Sequence, residues 1–166
     1  MFRTILAIAL VIWLTGPARS GFREGLAAYY RLDYAAALAE WQPLAEQGDP
    51  QAQYQIGILH YRGDGVVQDY RQAAKWFRRA AERGDADAQF NLGLLYAEGK
   101  GMPRNLVRAR MWFALAALAY ESGRDQDWAV ANRSLAARKR DWTASRMSAA
   151  EIAKADRLTR LWKPVR

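Results

Sequence analysis

Residues 48–83 read GDPQAQYQIGILHYRGDGVVQDYRQAAKWFRRAAER, and residues 84–119 read GDADAQFNLGLLYAEGKGMPRNLVRARMWFALAALA. Laid over one another at an offset of 36 without a gap, they agree at Gly48/Gly84, Asp49/Asp85, Ala52/Ala88, Gly57/Gly93 and Leu59/Leu95, and again at Gly63/Gly99, Gly65/Gly101, Ala73/Ala109, Trp76/Trp112 and Phe77/Phe113. Ile56/Leu92, Ile58/Leu94, Tyr54/Phe90 and His60/Tyr96 keep their size class. A fixed period of this length is the mark of stacked supersecondary units.

Each unit predicts two helices, over 52–62 and 71–83 in the first copy and over 88–98 and 107–119 in the second. Small residues (Ala52, Gly57, Ala73, Ala80, Ala81) recur where two backbones approach, and Leu59, Trp76 and Phe77 fill the space between them at helical spacing. Glycine costs a helix about 1 kcal/mol against alanine, so Gly57 and Gly93 in mid-helix predict close packing. Gly63-x-Gly65 and Gly99-x-Gly101 suit turns with positive φ, and Gly48 and Gly84 end the second helices.

A degenerate copy precedes these, over residues 21–47. Asp33-Tyr34 and Ala45-Glu46 lie 36 residues before Asp69-Tyr70 and Ala81-Glu82. Its first helix ends within 27–31, its connection is short, and Pro43 predicts a kink in its second helix. An atypical terminal unit is what a capped array requires.

The pattern A-x-x-x-[IL]-G-x-[LI]-[HY]-x-x-G-x-G followed by A-x-x-W-F-x-x-A-A resembles the Sel1-like repeat family, a relative of the tetratricopeptide repeat. The resemblance covers residues 22–119. It implies an all-α, right-handed α-solenoid of helix-turn-helix units, in a family whose members act as adaptors or scaffolds and in bacteria are often secreted. The chain departs from the pattern in the short first loop, at Pro43, and in Pro103-Arg104-Asn105 where the preceding loop has Val67-Gln68-Asp69.

Residues 120–166 leave the period. The polar stretch 121–127 reads as a connection, and 128–141 and 148–162 read as helices. Ser148 and Glu151 fit a capping box opening the last one, with Ile152, Ala155, Leu158 or Thr159, and Trp162 on its apolar face. This ending resembles the C-terminal extension of secreted Sel1-like proteins, which would cover the open edge of the last repeat.

At the other end, Arg3 precedes ten uncharged residues, Ile5–Leu14, half the length that spans a bilayer as a helix (about 20). Gly16-Pro17 and Ala18-Arg19-Ser20 follow. That layout predicts a signal peptide over 1–20, cut after Ser20, and a periplasmic or secreted protein; retained, the same segment would be an anchor.

The formal charge is +8, from 25 basic and 17 acidic residues. Residues 21–129 hold 13 basic and 14 acidic groups, whereas 130–166 hold 10 and 3. The basic character therefore belongs to the tail, and export argues against nucleic acid as a partner. Without cysteine, disulfides, thiol catalysis and thiolate metal sites are excluded. The single histidine, His60, falls on a repeat position and reads as structural. The Gly-x-Gly loops lack the context of a nucleotide-binding turn, and Asp64 and Glu98 have nothing to fix them as an acid/base pair. No catalytic residue, cofactor or metal is expected, so the chain reads as non-enzymatic.

Binding is the better expectation. In related solenoids the first helix of each unit lines the concave face. There a stripe apart from the packing residues reads Gln51, Gln55, Ile58, Arg62 and then Asp87, Asn91, Leu94, Glu98. Such a stripe suits a peptide or protein of the cell envelope, held by side-chain hydrogen bonds and one apolar pocket. The alternative is that these positions are merely solvated, with Ile58 and Leu94 in the core. A second partner class is an anionic lipid or cell-wall polymer met by the basic tail.

Overall fold

The computed structural model describes residues 17–121 and 127–165, with side chains from residue 21 onward. The apolar run of the expected leader and most of the expected connection 121–127 lie outside the described residues. Among those described there are eight helices and no strand: α1 (Pro17–Tyr30), α2 (Tyr34–Glu46), α3 (Pro50–Arg62), α4 (Tyr70–Glu82), α5 (Ala86–Glu98), α6 (Leu106–Glu121), α7 (Asp127–Ala144) and α8 (Ala149–Leu161). From α1 to α7 each helix packs on the next, and α8 returns to α6, giving the stacked helical solenoid that the period predicts.

The same local devices recur in every unit. Side chains of Asp33, Asp49, Asp85 and Asn105 accept the amide three residues on, at 2.7–3.1 Å, and Asp69 accepts from both Arg71 and Gln72. Each such N-cap stabilises its helix by about 1 kcal/mol. The first helices of both full repeats stop at Gly63 and Gly99, with φ of 81° and 73°, where any other residue would be strained. The departure at Pro103-Arg104-Asn105 leaves the loop unchanged. Asn105 N–H donates to the Tyr96 carbonyl as Asp69 N–H does to that of His60, and Arg104 reaches the Ala97 carbonyl as Gln68 reaches that of Tyr61.

Within each pair, a glycine of the first helix faces an aromatic ring of the second. A Cβ on Gly57 would lie 2.5 Å from Phe77, and one on Gly93 2.8 Å from Phe113; both rings are fully buried. The degenerate unit does the same with Gly25 and Trp41. Gly25 stands 32, not 36, residues before Gly57 because the connection at 31–33 is four residues shorter, which is why a fixed offset hides it. Leu32 closes that shorter turn in the left-handed region, with φ of 63°. Helix α2 runs unbroken through Pro43, which is exposed, while Trp41 and Leu44 hold the buried side in place.

Between units the clamp is polar. Gln53 and Gln89, both buried, donate to the Ala45 and Ala81 carbonyls at 2.9 and 3.1 Å, adding a second donor at the C-terminal end of the preceding helix, where Gly48 and Gly84 N–H already donate. Their identical spacing was available in the sequence, but a polar residue in a core is the last place that hydrophobic periodicity looks.

The tail helices α7 and α8 both pack on α6, the last helix of the second repeat. The Ser148–Glu151 capping box is formed, and α8 turns Ile152, Ala155, Thr159 and Trp162 inward, leaving Leu158 outside. Trp162 meets Trp112 edge-on, with ring centroids 6.4 Å apart. Beyond α8 the chain continues back along the second helices, and Val165 N–H donates to the Glu82 carbonyl at 2.7 Å, at the end of α4. No described helix is long and apolar enough to cross a membrane.

Candidate functional site

The face built by the first helices carries the residues that the sequence singles out, and it sorts them into three groups. Ile58 is 8% exposed and belongs to the core, and Leu94 packs against the same core. The expected apolar pocket is therefore not open at Ile58, where the helix turns far enough toward its partner to bury the side chain, and Leu94 is half-buried.

Arg62 and Glu98 stand at helix ends, beside the loops. The Arg62 guanidinium donates to the Tyr29 hydroxyl at 2.8 Å, and that hydroxyl donates to Asp64 at 3.4 Å, tying α1 to α3. Glu98 pairs with Lys100 at 2.7 Å, and the Lys100 ammonium sits over the Tyr70 ring. These exposed pairs each contribute little to stability.

The remaining four, Gln51, Gln55, Asp87 and Asn91, lie along the open side, and the last two join a cluster that the sequence reading missed. The Tyr120 hydroxyl donates to Asp87, and Asn91 donates to the Asp87 backbone carbonyl at 2.9 Å and stands beside Tyr54. Helix α6 is three residues longer than α4, and this extra turn brings Tyr120 back over α5. The signal for Tyr120 lay outside the 36-residue frame, since the matching position in the preceding repeat is Gly84.

The cluster is acidic and poorly hydrated. Burial, with Asp87 and Asp49 nearby, pushes the Asp85 carboxyl up to about 6, against the hydrogen bond from Ala88 N–H. Burial and the neighbouring carboxylates likewise hold the hydroxyls of Tyr54 and Tyr120 well above the usual tyrosine range, so both are neutral donors and acceptors. On the same helix row, burial lowers His60 below its ordinary value and keeps the imidazole neutral. The buried Tyr120 hydroxyl thus fixes Asp87 from below, and the amides of Gln51, Gln55 and Asn91 with the Asp87 carboxylate line the open side, an arrangement suited to hydrogen-bonding a peptide rather than to moving a proton.

The family model of the Sel1 repeat matches residues 50–85 and 86–121, the two units whose glycine–aromatic contacts were described above. Residues 50–121 are two Sel1 repeats. Among curated proteins none matches. Among solved structures, the chain is similar to c5321, a protective antigen present in uropathogenic Escherichia coli strains and displaying an SLR fold, at 30% identity and a TM-score of 0.72. That match covers 89% of this chain and 30% of c5321. A Sel1 repeat protein from Oxalobacter formigenes is 37% identical with a TM-score of 0.56, over 60% of this chain and 40% of the other. The Sel1-repeat chain described here therefore spans less than half the length of either. Sel1 repeats are generally protein-interaction modules, and the solenoid geometry of this chain is theirs.

Proposed function

We propose that this Sel1-repeat chain is a non-enzymatic interaction module of the bacterial cell envelope, which holds a peptide or a protein segment along the face of its first helices. The observation that carries this reading is the cluster of Tyr54, Asp87, Asn91 and Tyr120 at the junction of the two repeats, continued by the half-exposed Gln55 and the exposed Gln51. Amide and hydroxyl groups at one-turn spacing suit the backbone of an extended partner. The leader-like layout of residues 1–20 supports the envelope setting of this reading.

The test is a photo-crosslinker placed either at Gln55 or at Lys75, which is exposed on α4, in the native envelope. A discrete adduct from position 55 and none from 75, lost when Asn91→Ala and Tyr54→Phe are added, supports the reading. Equal labelling from both faces overturns it. Mass measurement of the purified chain checks processing, with Gly21 as the expected first residue.

A second reading draws on α7. Trp128, Leu135 and Trp142 stand 54%, 36% and 40% exposed at seven-residue spacing, with Arg138 and Lys139 beside them. Seven residues is nearly two helical turns, so the three form one stripe that would lie flat on an anionic lipid surface, rings at the headgroup level and cations outward. Sedimentation with anionic vesicles that weakens steeply with salt, and fails in Trp142→Ala with Arg138→Gln, is the expected behaviour.

A further inference from the structure

The C-terminal pair departs from the repeats in one respect that leaves room for a ligand. In each repeat the two helices close on one another through a glycine and an aromatic ring. Helices α7 and α8 instead both lean on α6 and pack little on each other. Between them, over α6, opens a cavity of about 510 Å³, within the range of small-molecule sites.

Its walls divide by chemistry. Ala114, Ala117 and Leu118 of α6 and Ala137 of α7 make an apolar floor. Around the rim, guanidinium groups converge from all three helices: Arg110 from α6, Arg133 and Arg140 from α7, and Arg160 from α8. Arg110 is held by Asp156 at 3.0 Å and by the Arg140 carbonyl at 3.2 Å, and Arg140 by Asp141 at 2.8 Å. Arg133 meets Glu121 only at 3.7 Å, and Arg160 has no ion pair among the described residues. Three of the four guanidinium groups are thus paired with a carboxylate, Arg133 only loosely, which leaves one positive charge in excess on the exposed Arg160.

We propose that this cavity binds a small amphiphilic carboxylate, its apolar body on the alanine and leucine floor and its head group between Arg133 and Arg160. A single excess charge matches a monoanion. The guanidinium fork pairs a carboxylate through two parallel hydrogen bonds, whereas a neutral head group offers it no charge. The floor selects against a bare anion, because a hydrated ion gains nothing from alanine methyls. This site is separate from the first-helix face, so its failure leaves the interaction reading untouched.

Titration calorimetry on the full chain tests it with three probes: octanoate, acetate and octyl glucoside, each below its micellar concentration. Octanoate is expected to bind at one site per chain, with acetate and octyl glucoside at least tenfold weaker. Arg133→Gln with Arg160→Gln, both on the exposed rim, should lower octanoate affinity about tenfold or more. Ala137→Phe should block it by filling the floor, with the circular dichroism spectrum kept as a check on folding. Binding of acetate or octyl glucoside as tight as octanoate, octanoate binding that survives both sets of changes, or no binding of octanoate overturns the proposal.

Discussion

The two repeats and the C-terminal pair meet the same packing problem with opposite size rules. In the repeats a missing side chain, at Gly57 or Gly93, receives a whole ring, Phe77 or Phe113, so the helices of a pair lock together over a large apolar area. In the cap the buried side chains that α7 and α8 contribute are small, Ala129, Ala136 and Thr143 from one and Ala155 from the other, and the ring in the cluster of Ala136 is Tyr120 of α6. Small side chains on α7 and α8 allow close approach to α6 but do not fix how these two helices stand to one another. The repeats are consequently closed and the cap is splayed, with a cavity where a third glycine–aromatic pair would sit.

The sharpest break of this contrast is Phe113→Ala, which empties a fully buried site in the middle of the array and should cost about 3–5 kcal/mol in urea unfolding. Trp162→Ala, made at the half-buried rim of the cap, should cost well under half of that. If the two were equal, the cap would be as tightly built as the repeats.

Next in size is a pH effect of opposite sign in the two regions. Asp85 is raised to about 6 by burial, so the folded state holds its proton more firmly than the unfolded chain does. Its favourable contribution is present below pH 4 and is lost as pH rises through 6, a change of about 2–3 kcal/mol. Glu151 is lowered by hydrogen bonds from the Ser148 backbone and hydroxyl. Its contribution is present above the ordinary glutamate range and is lost as pH falls through its depressed folded value. Hydrogen exchange, corrected for its intrinsic pH dependence, should therefore show α5 gaining protection as pH falls from 7 to 4 and α8 losing it only as pH falls below the ordinary glutamate value of 4.5. Asp85→Asn keeps the cap and should flatten the α5 response.

Gly93→Ala comes third. Alanine favours a helix by about 1 kcal/mol, yet its methyl would sit 2.8 Å from the Phe113 ring, and the net loss should be about 1–3 kcal/mol by thermal melting. The same change of glycine to alanine in a merely solvated helix would stabilise it. The smallest effect belongs to the first unit: Leu32→Asn relieves a left-handed backbone at an exposed position and should raise stability by about 0.5–1 kcal/mol.

The fold was legible because it is written twice. Identical residues at a spacing of 36 carry caps, turns and core together, and the ends of the helices fall within two or three residues of where the glycines and aspartates put them. The cap was legible where it uses a local code, Ser148 with Glu151. The candidate face was legible only in part. Helical spacing shows which residues share a side, but it does not give the rotation of one helix against the next, and that rotation buries Ile58. Nor does a period reveal what breaks it. Tyr120 reaches Asp87 because α6 runs one turn beyond its repeat, and Gly25 faces Trp41 across a connection four residues shorter than the others.

The bond from Val165 to Glu82 has a consequence for how the molecule comes into being. Stacked units exchange contacts only with their neighbours, so each can settle as soon as the next has been synthesised, in the order of translation. This one contact crosses the full length of a repeat and the extension behind it. The carbonyl at the end of α4 therefore waits for Val165, and the array, otherwise open to fraying from its C-terminal side, gains a latch that closes only after the second repeat and the extension behind it have been made.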